Sequence, residues 1–173
     1  YTMRARMEIL RTFGATLAPF NAWMLIQGME TLPLRMDRHV ENAAKVAAFL
    51  AEHPCVSWVR YPGLPGDQYH ERSRKYLPKG PSSIMSFGIK GGQAAGVKFI
   101  ENVQFLSHLA NVGDAKTLVI HPASTTHRQL SDEQLEAAGV PADLVRISVG
   151  IEDLDDILWD LDQALTVATG EQR

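Results

Sequence analysis

The densest chemistry in this 173-residue chain lies between Asn111 and His127. There an apolar stretch, Leu118-Val119-Ile120, is followed by His121-Pro122-Ala123-Ser124-Thr125-Thr126-His127 and preceded by an Asn111-Val112-Gly113-Asp114 turn. Hydroxyls, an amide and two imidazoles crowded beside a strand suit the lining of a polar pocket. An ordinary loop, whose Ser and Thr side chains satisfy nearby backbone groups, uses the same residues. The second candidate is Arg146, set between Val145 and Ile147 in an otherwise apolar run. A guanidinium on a strand is a rigid fork that fits a carboxylate. Strand alternation equally allows a plain solvent-facing arginine. His121 and His127 match no common zinc spacing and have no cysteine pair beside them, so a metal site is not expected. Cys55 is the single cysteine, has no activating neighbour and reads as inert. Trp23, Trp58 and Trp159 read as packing residues.

Positioning these groups requires a scaffold, and the pattern supplies one. Met3, Met7, Leu10 and Phe13 share a helical face, which Gly14 interrupts. A second helix starts near Pro19 and has Gly28 as its expected end. A third begins near Thr31 and carries an apolar stripe of Leu32, Met36, Val40, Ala43, Ala47 and Leu50 up to Pro54. Val56–Tyr61, Ser83–Ile89 and Leu144–Val149 read as strands, with shorter candidates at Phe105–His108 and Thr117–Ile120. Gln68–Tyr76 is weakly helical, and Gln93–Asn102 is a helix. Ser131 and Gln134 form a capping-box pattern. Asp153 caps a final helix that carries Leu154, Ile157, Leu158, Leu161 and Leu165 and ends at Gly170. The order implies an α/β fold, with helices on one face of a mixed sheet. The expected division is a helical connector over residues 1–54 and an α/β domain over 55–173.

The balance of 17 basic and 20 acidic residues, net −3, gives no basic stripe for nucleic acid. No apolar run approaches the length of a membrane span. One cysteine means no disulfide framework, which fits a reducing cytoplasm. The opening Tyr1-Thr2-Met3-Arg4 is no signal peptide and reads as the inside of a helix, so a piece of a longer protein is expected.

Four stretches in order carry a resemblance. They are Leu17-Ala18-Pro19-Phe20-Asn21-Ala22-Trp23 with Gly28-Met29-Glu30-Thr31-Leu32-Pro33-Leu34-Arg35-Met36, then Tyr61-Pro62-Gly63-Leu64, then Thr117 to His127, and Val145-Arg146-Ile147-Ser148-Val149-Gly150-Ile151-Glu152. Over nearly its whole length the chain resembles the C-terminal part of the Cys/Met metabolism enzymes that depend on pyridoxal phosphate. The resemblance implies the small C-terminal domain of the aspartate-aminotransferase-like (fold type I) architecture, preceded by long connecting helices. It assigns the substrate's α-carboxylate to Arg146 and places Asn111 and Thr126 at the same pocket. Gln27-Gly28 and Asn111-Val112-Gly113 resemble the family's O-acetylhomoserine sulfhydrylase branch. That branch replaces acetate by sulfide or methanethiol, with the cofactor as electron sink. Relatives of cystathionine γ-synthase, cystathionine γ-lyase or methionine γ-lyase are the alternative, as is a non-catalytic, self-associating module. The resemblance also implies a homo-oligomer, a tetramer in the parent family. None of Lys45, Lys75, Lys79, Lys90, Lys98 and Lys116 has the family's imine context. The expectation is therefore that the chain holds no catalytic lysine, binds no pyridoxal phosphate alone and is inactive alone.

Overall fold

A computed structural model describes residues 1–171 and divides into two compact units, Tyr1–Leu34 and the chain from Arg35 onward. The first unit is helical. Helix α1 (Thr2–Arg4) runs through a π-helical segment (Ala5–Leu10) into α2 (Arg11–Phe13), which ends at Gly14 with a left-handed φ of 63°. Helix α3 (Pro19–Glu30) opens with Pro19, whose missing N–H costs nothing there. Gly28 does not end it, contrary to the sequence expectation. The helix continues for two further residues to Glu30, since an internal glycine costs only about 1 kcal/mol. No residue of 1–34 is buried.

The second unit is built on α4 (Leu32–Glu52) and a five-stranded sheet. Strands β1 (Val56–Arg60), β2 (Ile84–Ile89), β3 (Ser107–His108), β4 (Leu118–Ile120) and β5 (Leu144–Ser148) lie in the order β1-β2-β5-β4-β3. All neighbours are antiparallel except β3 and β4, so the sheet is mixed. Helices α5 (His70–Tyr76), α6 (Gly92–Asn102), α7 (Asp132–Ala137) and α8 (Leu154–Thr169) complete the unit.

Strand alternation fixes which face is apolar. Met85, Phe87 and Ile89 of β2 line up with Val145 and Ile147 of β5, and all are buried. Against them pack Ala43, Val46, Ala47 and Leu50 of α4, Phe99 of α6, and Ile157, Leu161 and Leu165 of α8, all fully buried. Phe87 and Phe99 meet edge to face, with ring centroids 5.9 Å apart. Burying a side chain of this size contributes about 1.5–3 kcal/mol, so this layer is the main source of stability. The core begins within α4, and the compact units divide at Leu34/Arg35.

Two strand expectations were too long, for one reason. The backbone N–H groups of Gln104, Phe105 and Leu106 donate to the buried Asp160 carboxylate of α8 at 2.8–2.9 Å, which leaves only Ser107–His108 in the ladder. Likewise Thr117 gives its N–H to Glu152, and β4 starts at Leu118. Side-chain acceptors have displaced strand partners at both places. The capping box of α7 is present, with Gln134 N–H donating to Ser131 Oγ and Ser131 N–H to Gln134 Oε1. Trp23 and Trp159 differ from the packing role expected of them, being 55% and 54% exposed. Trp58 is half-buried, its indole N–H donating to Asp143 at 3.0 Å. Cys55 is fully buried beneath the Thr169 hydroxyl.

Candidate functional site

Val145 and Ile147 point into the helix-covered core, and strand alternation puts Arg146 on the opposite face of β5. It pairs with Ser86 on β2 and Ile120 on β4, and Ser86 pairs in turn with Arg60 on β1. Arg60, Ser86, Arg146 and Ile120 thus form one cross-strand row. Arg60 is engaged, its guanidinium lying 4.6 Å from the Trp58 ring centre. Arg146 is half-buried, and its side chain has no hydrogen bond or ion pair among the described residues. A partly desolvated guanidinium without a counter-charge is costly, so the position favours an anionic partner.

The other two site residues lie in loops. Asn111 is exposed on the loop between β3 and β4, and its Oδ1 accepts the Val112 N–H at 2.9 Å. Thr126 is exposed in the loop after β4, where its hydroxyl shares a 2.8 Å hydrogen bond with His127 Nδ1. No hydrogen bond joins Asn111, Thr126 and Arg146 directly. The fold brings their carriers together, because β4 borders β5 and the Pro122–Ser124 turn follows β4.

His121 anchors that turn. Its Nε2–H donates to the Ala142 carbonyl at 2.8 Å, which leaves Nδ1 to accept the Ser124 hydroxyl at 2.8 Å. Burial pushes its pKa below the usual value, and the Ala142 carbonyl and Asp143 oppose this only in part. Gly96 of α6 lies so close that a Cβ there would run into the imidazole ring. His121 is therefore a structural residue, buried and hydrogen-bonded at both ring nitrogens. Among the described residues, no cluster of three His, Cys, Asp or Glu side chains could hold a metal.

The turn after β5 is held by two residues that the sequence reading missed. His39 Nδ1–H donates to the Val149 carbonyl at 2.6 Å. Asn42 Nδ2 donates to the carbonyls of Gly150 at 3.2 Å and Glu152 at 3.0 Å. Both are buried polar residues on α4, interleaved with its apolar stripe. That placement was the available signal, since a buried polar group needs a partner.

The described residues do not fit pyridoxal phosphate as a complete pocket. An imine lysine works from a desolvated position, and all six lysines here are exposed; Lys45 is moreover paired with Glu41 at 2.6 Å. What the chain does offer is a half-buried arginine whose side chain has no partner among the described residues.

Comparison with known proteins places the chain in a family. The family model of Cys/Met metabolism PLP-dependent enzymes matches residues 2–166. The chain is 50% identical over 165 residues to O-acetyl-L-homoserine sulfhydrylase 1 of Thermus thermophilus, covering 95% of this chain and 39% of that protein. It is 51% identical over 168 residues to the homocysteine synthase of Schizosaccharomyces pombe, covering 97% and 39% respectively. Among solved structures it superimposes, with a TM-score of 0.86 and 44% identity, on an O-acetylhomoserine (thiol)-lyase of Campylobacter jejuni that carries a pyridoxyl-lysine monophosphate. That match covers 95% of this chain and 39% of the other. The chain therefore spans about two fifths of the length of these relatives, and it belongs to the Cys/Met metabolism PLP-dependent enzyme family.

Proposed function

We propose that the chain is the C-terminal, substrate-facing part of an O-acetylhomoserine sulfhydrylase. The whole enzyme exchanges the acetate of O-acetylhomoserine for sulfide or a thiol, working as a homo-oligomer in the cytoplasm. Arg146 receives the α-carboxylate of the amino-acid substrate, and Asn111 and Thr126 border the same pocket. The observation that carries this reading is the half-buried Arg146 on the face of β5 opposite Val145 and Ile147, its side chain without a partner among the described residues. The names of relatives about 50% identical to the chain support the branch.

The imine lysine and the cofactor pocket belong to the remainder of the protein, so the chain alone is inactive. Tyr1–Leu34 supports that reading. On α3, Phe20, Trp23, Met24, Leu25, Ile26 and Met29 are each more than half exposed, at 53–65%. A helix apolar on all sides belongs inside a larger body. The unit is the connector to the cofactor-binding part.

Arg146→Ala in the full-length enzyme tests the site. Losing one partner of a desolvated, charge-assisted pair costs roughly 2–5 kcal/mol, on the order of 30- to 4,000-fold in kcat/KM. Arg146→Lys keeps the charge but loses the fork and remains clearly impaired. Near wild-type kcat/KM in a folded Arg146→Ala enzyme would refute the assignment.

A further inference from the structure

The segments that carry Asn111 and Arg146 are joined by a closed set of hydrogen bonds centred on Glu152. One Glu152 carboxylate oxygen accepts the Thr117 N–H at 2.6 Å, and the other accepts the Thr117 hydroxyl at 2.8 Å. That hydroxyl in turn accepts the Gly150 N–H at 2.9 Å. Beside it, the Ile151 N–H donates to the Ala115 carbonyl at 2.9 Å. The packing is so close that a Cβ on Gly150 would collide with the Glu152 carboxylate and with the backbone of Ala115 and Lys116.

The loop from Asn111 to Lys116 otherwise satisfies itself. Val112 N–H turns back to the Asn111 side chain, and Lys116 N–H to Asp114. Asn111 and Val112 are exposed. Its hold on the end of β5 runs through the Ala115 carbonyl, which takes the Ile151 N–H, and through Thr117, which the Glu152 clamp holds. A carboxylate is well chosen for this. It accepts two donors at once, and charge-assisted bonds are roughly twice as strong as neutral ones. No cation lies within ion-pair distance of it among the described residues.

We propose that Glu152 is the positioning residue of the carboxylate site: through Thr117 it fixes the Asn111 loop against the end of β5, so that Asn111 and Arg146 address one substrate carboxylate. This rests on the assignment of Arg146 made above. Glu152 touches no reacting atom. Its effect falls on binding of the carboxylate-bearing substrate and not on the chemical step.

The test uses the full-length enzyme with Glu152→Gln, Thr117→Val, Thr117→Ser and Arg146→Ala. Glutamine has the shape of glutamate but turns one acceptor into a donor facing the Thr117 hydroxyl. Expected for Glu152→Gln is a rise of about tenfold in KM for the amino-acid substrate, with kcat within about threefold and KM for sulfide unchanged. Thr117→Val gives the same split, and Thr117→Ser, which keeps the hydroxyl, restores wild-type values. The lysine-bound cofactor's visible band stays as in wild type. A purely structural role predicts lower thermal stability with an unchanged amino-acid KM, and that result in Glu152→Gln and Thr117→Val overturns the proposal. The threonine pair decides the matter by itself if Glu152→Gln does not fold. Should Arg146→Ala also bind normally, the carboxylate reading falls first. If Arg146→Ala is impaired and the clamp variants are not, only the positioning role falls.

Discussion

The Nδ1–H of His39 donates to the carbonyl oxygen of Val149 at 2.6 Å, tying the middle of α4 to the end of the strand that carries Arg146. One helical turn on, Asn42 takes the carbonyls of Gly150 and Glu152. The turn after β5 thus has its outward carbonyls satisfied by two buried side chains of a single helix. A turn in that position otherwise leaves desolvated acceptors unpaired.

Asn42→Ala removes both donors from this turn. Each acceptor left without a partner costs about 1–3 kcal/mol, so for the two carbonyls a loss of about 2–6 kcal/mol is expected in denaturant unfolding. Asn42→Asp is the sharper variant, because it points a carboxylate at two carbonyl oxygens. It is expected to destabilise more than Asn42→Ala. Equal midpoints for the wild type and Asn42→Asp would contradict the described contacts.

Asp160 is fully buried and accepts the N–H groups of Gln104, Phe105 and Leu106 as well as the side-chain amide of Gln163. Asp160→Ala strands three backbone donors and is expected to cost about 3 kcal/mol or more. Asp160→Asn keeps one oxygen and costs less. Hydrogen exchange at Phe105 and Leu106 reports the local effect and should speed up in both variants. Unaltered exchange there in Asp160→Ala would show that the carboxylate does not hold this loop.

His121 makes stability depend on pH. Burial holds its folded pKa below the ordinary histidine value of about 6.5, so the folded chain disfavours the charged ring. Below about pH 6.5 the unfolded state binds a proton that the folded state resists, and linkage then favours unfolding. The stabilisation is present above that pH and is lost as pH falls through it towards the lower folded value. Melting temperatures measured from pH 7.5 to 5 should fall more steeply for the wild type than for His121→Gln. Parallel curves would assign the acid sensitivity to other groups.

Much of the scaffold was legible locally. The alternation of Val56–Arg60, Ile84–Ile89 and Leu144–Ser148, the capping box at Ser131 and the span from Asp153 to Gly170 all depend on neighbours a few residues apart. Periods of two and of 3.6 are written in the sequence itself. The run around Arg146 was legible as a motif, but alternation alone allows a strand arginine to face either side of a sheet.

Tertiary structure decided the rest, because pairing and burial are non-local. Only the order β1-β2-β5-β4-β3 makes β5 an interior strand and sets Arg146 between Ser86 and Ile120, on the face opposite Val145 and Ile147. Only packing shows that His39 and Asn42, polar residues beside an apolar stripe, turn inward to carbonyls more than a hundred residues away. Nor could the sequence show that Phe105 would leave its strand for Asp160, or that Thr117 would leave its own for Glu152. Local pattern fixes which elements form and which of their faces are apolar. Which acceptor a backbone N–H finally takes is settled when distant segments compete for it in the folded core.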